Sequence, residues 1–341
     1  MSEPITLVQF GVGAWGRNLY RTFASLKGAR LVGFHDPSDA SSKAALALAN
    51  VERIADVAQA FDGRAQAAII ATPAESHYDL ASRALDAGLD VFVEKPMTLR
   101  ASDAEDLSRR AEAAHRVLMV GHILLYHPAV ERMRAMVQSG ELGRLYYAYA
   151  QRINLGQVRA VEDALWSFGP HDIAVACHLL DATPIEVAAW GQSYLQPGIA
   201  DVVFVNLRFP DDMLVHLHLS WLDPHRSRRM TLVGSRKMLT FDDVEPSEKL
   251  RVYDKGVDVR TDYASYCEYL TLRQGEVTIP HLASTEPLRL ECQHFLDRVA
   301  DRAAPRSDGA SGVTVVRALE AASASLAANS GYVRIASQEP L

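Results

Sequence analysis

The chain has 341 residues, 48% of them hydrophobic and 23% charged, with a formal net charge of −7. This is the composition of a globular protein long enough for two domains. The acidic balance, without any basic stripe, excludes nucleic acid as a natural partner. Cys177, Cys267 and Cys292 are scattered and odd in number. They exclude a disulfide framework and a zinc-ribbon site, and fit thiols in a reducing compartment. The first residues show no basic segment leading into an apolar one, and no apolar run approaches about 18 residues, so the expectation is a soluble cytoplasmic protein with no membrane partner.

The first 120 residues alternate between strand and helix. Ile5 to Phe10 is a short apolar run of the kind that forms a buried parallel strand. It meets Gly11, Gly13 and Gly16, spaced G-x-G-x-x-G, before a helical pattern of Leu19, Tyr20, Phe23 and Leu26. A strand over Arg30 to His35 ends in Asp36, and helical stretches follow at Asp39 to Asn50 and Val57 to Phe61. Ala67 to Ala71 reads as a strand ending in Thr72-Pro73, then a helix from Glu75 to Ala87 with Gly88 as its C-cap. Asp90 to Val93 runs into Glu94-Lys95-Pro96; a helix over Ala101 to His115 and a strand over Val117 to Val120 complete the series before Gly121-His122. Repeated βα units of this kind build a parallel sheet with ligands at the carboxyl ends of its strands. Thr72, Lys95 and His122 all fall at such ends.

The second half changes character. After a helix over Pro128 to Ser139, strand patterns dominate: Arg144 to Ile153, Ile185 to Gln192, Val202 to Phe209, Met213 to Ser220, Arg229 to Val233 and Met238 to Phe241. Val215-His216-Leu217-His218-Leu219 alternates with period two, and Pro210-Asp211-Asp212 is a turn signal. Helices are expected at Asp172 to Leu180, Thr285 to Ala300 and Gly312 to Asn329, and Arg302 to Gly312 reads as a surface loop. The fold class is therefore α/β: a Rossmann domain over 1–122 and an α+β domain over 123–341 with an open, mostly antiparallel sheet.

The glycine turn carries the first chemistry. Gly11 permits a tight turn, Gly13 lets backbone approach a pyrophosphate and Gly16 lets the helix pack against the strand, with the helix N-terminus offered to phosphate. Ala14, Trp15 and Asn18 lie in the same turn. Trp15 either shields the pyrophosphate or covers the helix, and Asn18 serves phosphate binding or capping. Asp36, 25 residues after Gly11, is placed to accept hydrogen bonds from the adenosine ribose and would repel a 2′-phosphate, so NAD is favoured over NADP.

Four motifs in order, Gly11-Val12-Gly13-Ala14-Trp15-Gly16, Ala71-Thr72-Pro73 with His77, Glu94-Lys95-Pro96 and Gly169-Pro170-His171-Asp172-Ile173, resemble the Gfo/Idh/MocA oxidoreductase family across essentially the whole chain. Trp15-Gly16-x-Asn18, Arg152-Ile153-Asn154-Leu155-Gly156 and Trp166 look most like its nucleotide-sugar 3-dehydrogenases. The resemblance implies oxidation of a sugar hydroxyl, C3 of a UDP-N-acetylhexosamine or its uronic acid, with NAD as cofactor. It further implies a cis Lys95-Pro96 bond, subunit pairing through the second-domain sheet as a homodimer or homotetramer, and cofactor contacts from Thr72, Pro73, His77, Glu94, Lys95 and His122.

Such a reaction needs a base for the hydroxyl proton and a stabiliser of developing oxyanion character. Lys95 suits the second task, its ammonium hydrogen-bonding the reacting hydroxyl. His171, an imidazole expected to open the Asp172 to Leu180 helix, suits the first. The family's usual aspartate four residues before that histidine is Ser167 here. Asp172 and Asp163 are the candidate substitutes.

The remaining candidates carry two readings each. His122 and Tyr126 line nicotinamide or sugar, or simply pack. Arg152, Asn154 and Arg159 hold a diphosphate or sugar hydroxyls, or form a solvated strand edge; Asp172 joins the substrate candidates. His216 and His218 share a strand face as two zinc ligands would, but no third ligand has suitable spacing, so no metal is expected. An enzyme on a free sugar, an inositol or a 3-keto sugar is the nearest alternative. A noncatalytic NAD-bound sensor is the alternative from another class, motivated by Ser167 and opposed by retention of Lys95 and His171.

Overall fold

The computed structural model describes residues 3–259, 270–328 and 331–336. Cys267 lies outside the described residues. The chain divides into two compact units, one of residues 1–126 with 285–317 and the other of 127–284 with 318–341.

In the first unit a five-stranded parallel sheet has the order β2-β1-β3-β4-β5, formed by β1 (Ile5–Phe10), β2 (Ala29–His35), β3 (Ala67–Ile70), β4 (Asp90–Glu94) and β5 (Leu118–Gly121). The helices between them are α1 (Gly16–Ser25), α2 (Asp39–Leu46), α3 (His77–Asp86) and α4 (Ala101–Ala113), with 3-10 turns at Val57–Phe61, Ala74–Ser76 and Ile123–Tyr126. β3 and β4 are buried at every position, because a parallel sheet covered on both faces has no wet side. The strand order reverses between β1 and β3, which places a crevice at the carboxyl end of β1 where Gly11 lies.

In the second unit α5 (Pro128–Gln138) and α6 (Ala164–Leu180) accompany β6 (Leu145–Ile153), β7 (Glu186–Gln192), β8 (Val202–Arg208), β9 (Leu214–Ser220), β10 (Ser227–Gly234), β11 (Met238–Asp242), β12 (Leu250–Val259), β13 (Leu270–Thr278) and β14 (Val333–Arg334). Among the described residues these strands form one nine-stranded sheet, antiparallel except where β6 runs parallel to β9. Val203, Val205, Leu207, Val215, Leu217 and Leu219 are buried on one face. Tyr147, Trp190 and Phe204 stay exposed on other strand positions, as period-two alternation requires.

Several features depart from the sequence reading, which places no strand at β12, β13 or β14. The segment holding α7 (Pro287–Asp301) packs in the first unit rather than with the second half of the chain. Phe295 of α7 meets Phe92 of β4 and Phe23 of α1 edge-on, at 5.7 and 6.2 Å between ring centres. Ser307 then adds backbone pairing to Val120, its carbonyl accepting from Val120 N and its hydroxyl donating to Val120 O, both at 2.7 Å. The second division falls inside α8 (Gly309–Ala327), at 317/318. Furthermore, α6 begins at Ala164 and not at Asp172. Asp163 caps it by accepting from Trp166 N at 2.9 Å, and Pro170 sits inside the helix.

Candidate active site

At the end of β1 the chain turns with Gly11 at φ +84°. A Cβ there would stand 2.5 Å from the Ala71 carbonyl oxygen, and one on Gly16 would stand 2.3 Å from the Gly11 oxygen. Only glycine fits at either place. Gln9, fully buried, locks the turn from beneath: its Nε2 donates to Gly11 O at 2.9 Å and Gly16 O at 2.7 Å. Gln9 was not legible as a site residue because a lone glutamine in an apolar strand reads as a packing irregularity. Gly13, by contrast, has no atom within 4 Å of where its Cβ would be, and that open cradle is what a pyrophosphate needs. Trp15 is the N-cap of α1 and has no side-chain capping bond, so Asn18 does not cap the helix; it sits in the first turn with its N–H on Trp15 O. Ala14 is exposed beside them.

Asp36 at the end of β2 is buried and accepts backbone N–H groups from Val12 at 2.8 Å and Ser38 at 2.8 Å. A carboxylate offers about four acceptor sites, so these two bonds fix it and leave capacity for ribose hydroxyls. The open cradle at Gly13 and the fixed carboxylate fit a dinucleotide.

At the ends of β3 and β4 the structure assembles a tight group. His77 is buried, with Nδ1 2.8 Å from the Pro96 carbonyl and Nε2 2.9 Å from the Thr72 carbonyl. It staples the Thr72-Pro73 turn to the Lys95-Pro96 turn. Burial lowers its pKa, against the pull of the two carbonyls. The Lys95-Pro96 bond is cis, as the family resemblance implied, and Lys95 is half-buried. Glu94 accepts from the Trp15 indole Nε1 at 2.5 Å and from Lys95 N at 3.2 Å. Its burial pushes the carboxyl up to about 7, although the Trp15 bond and the Lys95 charge oppose the shift.

Two candidates prove deeply buried. His122 has no hydrogen-bond partner for either ring nitrogen among the described residues, and burial, reinforced by Lys95, pushes its pKa down to about 3. It is neutral near pH 7 and cannot act there as a charged group. Tyr126 is 3% exposed, its hydroxyl 3.2 Å from Ser307 Oγ and its ring under Arg306 at 4.9 Å.

In the second unit, Arg152 of β6 and Asp172 of α6 form a buried bidentate pair, Nε to Oδ2 at 2.8 Å and Nη2 to Oδ1 at 2.9 Å. Each is thus committed to the other. His171 lies half-buried next to Asp172, in the eighth position of α6 rather than at its start. Ser167 is buried on the same helix. Asp163 caps α6 through one carboxylate oxygen, while Asp172 is paired with Arg152 through both. Asn154 N bonds Ser220 O at 3.1 Å, and the exposed Arg159 reaches Glu162 at 3.5 Å. His216 Nδ1 is 2.9 Å from Asn206 Oδ1 and His218 stacks on Phe204 at 4.5 Å, so both serve the sheet face.

The profile of the NAD-binding Rossmann domain of the Gfo/Idh/MocA oxidoreductases matches residues 5–122, and that of the family's C-terminal domain matches residues 130–240. The chain belongs to this family. It is an NAD-dependent dehydrogenase. UDP-N-acetylglucosamine 3-dehydrogenase of Acidithiobacillus ferrooxidans is 27% identical over 320 residues, covering 90% of this chain and 93% of that one. Inositol 2-dehydrogenase 2 of Saccharopolyspora erythraea is 26% identical over 221 residues, 61% of this chain and 64% of that one. Among solved structures, a putative oxidoreductase from Magnetospirillum magnetotacticum superposes with a TM-score of 0.79 at 27% identity, covering 94% and 99% of the two chains. The glycine turn and the Glu94-Lys95-Pro96 turn lie within the residues matched to the NAD-binding domain, and Ser167 and His171 within those matched to the C-terminal domain. No helix among the described residues is long and apolar enough to cross a membrane.

Proposed function

We propose that this enzyme oxidises the C3 hydroxyl of a UDP-N-acetylhexosamine or its uronic acid. The observation that carries the reading is the similarity to a UDP-N-acetylglucosamine 3-dehydrogenase over nine-tenths of both chains. NAD supplies the hydride acceptor. Lys95, half-buried at the end of β4, hydrogen-bonds the reacting hydroxyl and stabilises its developing negative charge. His171 takes the hydroxyl proton. Thr72, Pro73 and Asp36 serve the cofactor directly, and His77 acts by holding the two turns together. Arg159 and Asn154 are the side chains of the second unit left for the substrate, because Arg152 and Asp172 neutralise one another.

Two further properties belong to this reading. Tyr147, Tyr149, Trp190 and Phe204 are exposed to 45%, 37%, 42% and 38%, a cluster of aromatics on the sheet that favours self-association as a homodimer or homotetramer. Light scattering at micromolar concentration checks this, and a monomeric mass would refute it. Cys177 and Cys292 are free thiols, in keeping with a cytoplasmic enzyme. NADH formation across a panel of UDP-sugars, inositols and free hexoses tests the substrate: turnover confined to UDP-amino sugars is expected. Turnover of inositols alone would favour the free-polyol reading that the inositol dehydrogenase relative supports.

A further inference from the structure

Glu94 is joined by a second carboxyl that the reaction scheme does not use. Phe92 and Glu94 share one face of β4, being two residues apart. Glu291 and Phe295 share one face of α7, being four apart. The Phe92 and Phe295 rings meet at 5.7 Å. This contact brings Glu291 towards Glu94, and the two carboxyls feel each other electrostatically. Glu291 is fully buried, and neither of its oxygens has a hydrogen-bond partner among the described residues. On the other side, the Glu94 carboxyl rests on Gly121, where a Cβ would stand 3.0 Å from it.

The charged and titratable neighbours come from several elements. Lys95 follows on the same chain, His122 follows Gly121 on β5, Cys292 lies beside Glu291 on α7, and Tyr126 with Arg306 lies near Glu291. Two carboxyls in one apolar place cannot both ionise readily. Glu94 has two hydrogen-bond donors and a cation to stabilise its charge. Glu291 has none, and burial with the nearby Glu94 holds its pKa well above the usual carboxylate range. Glu94 is therefore the member that ionises, and Glu291 stays a neutral acid.

We propose that Glu94 is a positioning residue of this dehydrogenase: its carboxylate ties Trp15 of the dinucleotide turn to the Lys95 turn, and Glu291, held neutral behind it, leaves Glu94 free to carry the charge. Trp15 belongs to the loop that receives the pyrophosphate, and Lys95 N is the carboxylate's other donor. Cofactor seating and the setting of Lys95 thus depend on one titrating group. The inference rests on NAD binding at the glycine turn and on the Lys95 role given above, but not on which sugar is oxidised.

Trp15 itself reports the state of Glu94, because its indole N–H is the donor. Its emission, taken as wild type minus Trp15→Phe, is expected to follow one proton with a midpoint near 7. Glu94→Gln should abolish that transition. Glu291→Gln, an isostere of the neutral acid, should leave the midpoint within about one unit. NAD binding, measured by calorimetry without any sugar, should weaken about tenfold from pH 8 to pH 6 as a charge-assisted hydrogen bond is lost, and Trp15→Phe should remove that dependence. Emission that does not titrate, or that titrates equally in Glu94→Gln, overturns the proposal. So does a midpoint moved by several units in Glu291→Gln, which would make Glu291 the ionised member. NAD affinity that ignores the transition would show a bond without a positioning role. Failure of every UDP-sugar in the turnover assay would refute the substrate reading while leaving these readouts as they are.

Discussion

Arg152 and Asp172 bind each other through two parallel hydrogen bonds at 2.8 and 2.9 Å, with side chains only 9% and 6% exposed. Such a pair is costly to break from one side, because the surviving charge stays buried without compensation. Arg152→Met or Asp172→Leu alone should lower the unfolding free energy by about 3–5 kcal/mol, and the double variant should recover most of the loss. Chemical denaturation of the three variants checks this. If Arg152→Met instead weakened substrate binding at unchanged stability, Arg152 would be a ligand rather than a strut.

Gly13 and Gly16 should separate cofactor binding from folding. A methyl at Gly13 meets no protein atom, so Gly13→Ala should keep the wild-type melting temperature and weaken NAD at least about tenfold by occupying the pyrophosphate's place. A methyl at Gly16 meets backbone at 2.3 Å, so Gly16→Ala should lower the melting temperature as well. Thermal melts with and without NAD give both answers.

His77 should behave as a structural staple. Removing it leaves two carbonyls, those of Thr72 and Pro96, without their partner. His77→Ala should therefore cost about 2–4 kcal/mol of stability. Both ring nitrogens face carbonyl oxygens, which only accept, so a neutral ring donates to one of them at a time and the two bonds together need the imidazolium, which burial disfavours.

Stability should depend on pH in two opposed ways. His122 has a folded pKa near 3 against about 6.5 when unfolded, so the unfolded chain binds the extra proton between those values. Stability therefore falls on acidification below about pH 6.5, by roughly 1.4 kcal/mol per unit. Glu94 has the reverse sign. Its folded pKa near 7 exceeds the unfolded value of about 4.3, so its contribution is present in acid and is lost as pH rises towards 7. Denaturation of His122→Asn and of Glu94→Gln across pH 4 to 8, each subtracted from wild type, should give the two slopes separately.

Much of the fold is legible in the residues themselves. Ile5–Phe10 and Val57–Phe61 fall where their patterns place them, because local apolar runs and turn residues decide them. The start of α6 is not, since Gly169-Pro170 interrupts the helical pattern even though Asp163 supplies an ordinary N-cap signal. β12 and β13 escape because charges punctuate them and much of the hairpin faces solvent. The glycine turn, Asp36, Lys95 and His171 stand out by motif. Gln9, Glu291 and the Arg152–Asp172 pair do not, because each acquires its meaning only from a partner brought close by the fold. Glu291 in particular sits in a sequence that reads as the wet face of a helix.

The measurement closest to the central claim is steady-state NADH formation with a UDP-amino sugar for wild type, Lys95→Ala and His171→Ala, with NAD affinity measured on each. The account predicts a loss of roughly 10²–10⁴-fold in kcat for each variant, since both residues handle the reacting hydroxyl, with NAD affinity kept within a few-fold. Variants that turn over at the wild-type rate would contradict the assignment of Lys95 and His171 to the chemistry.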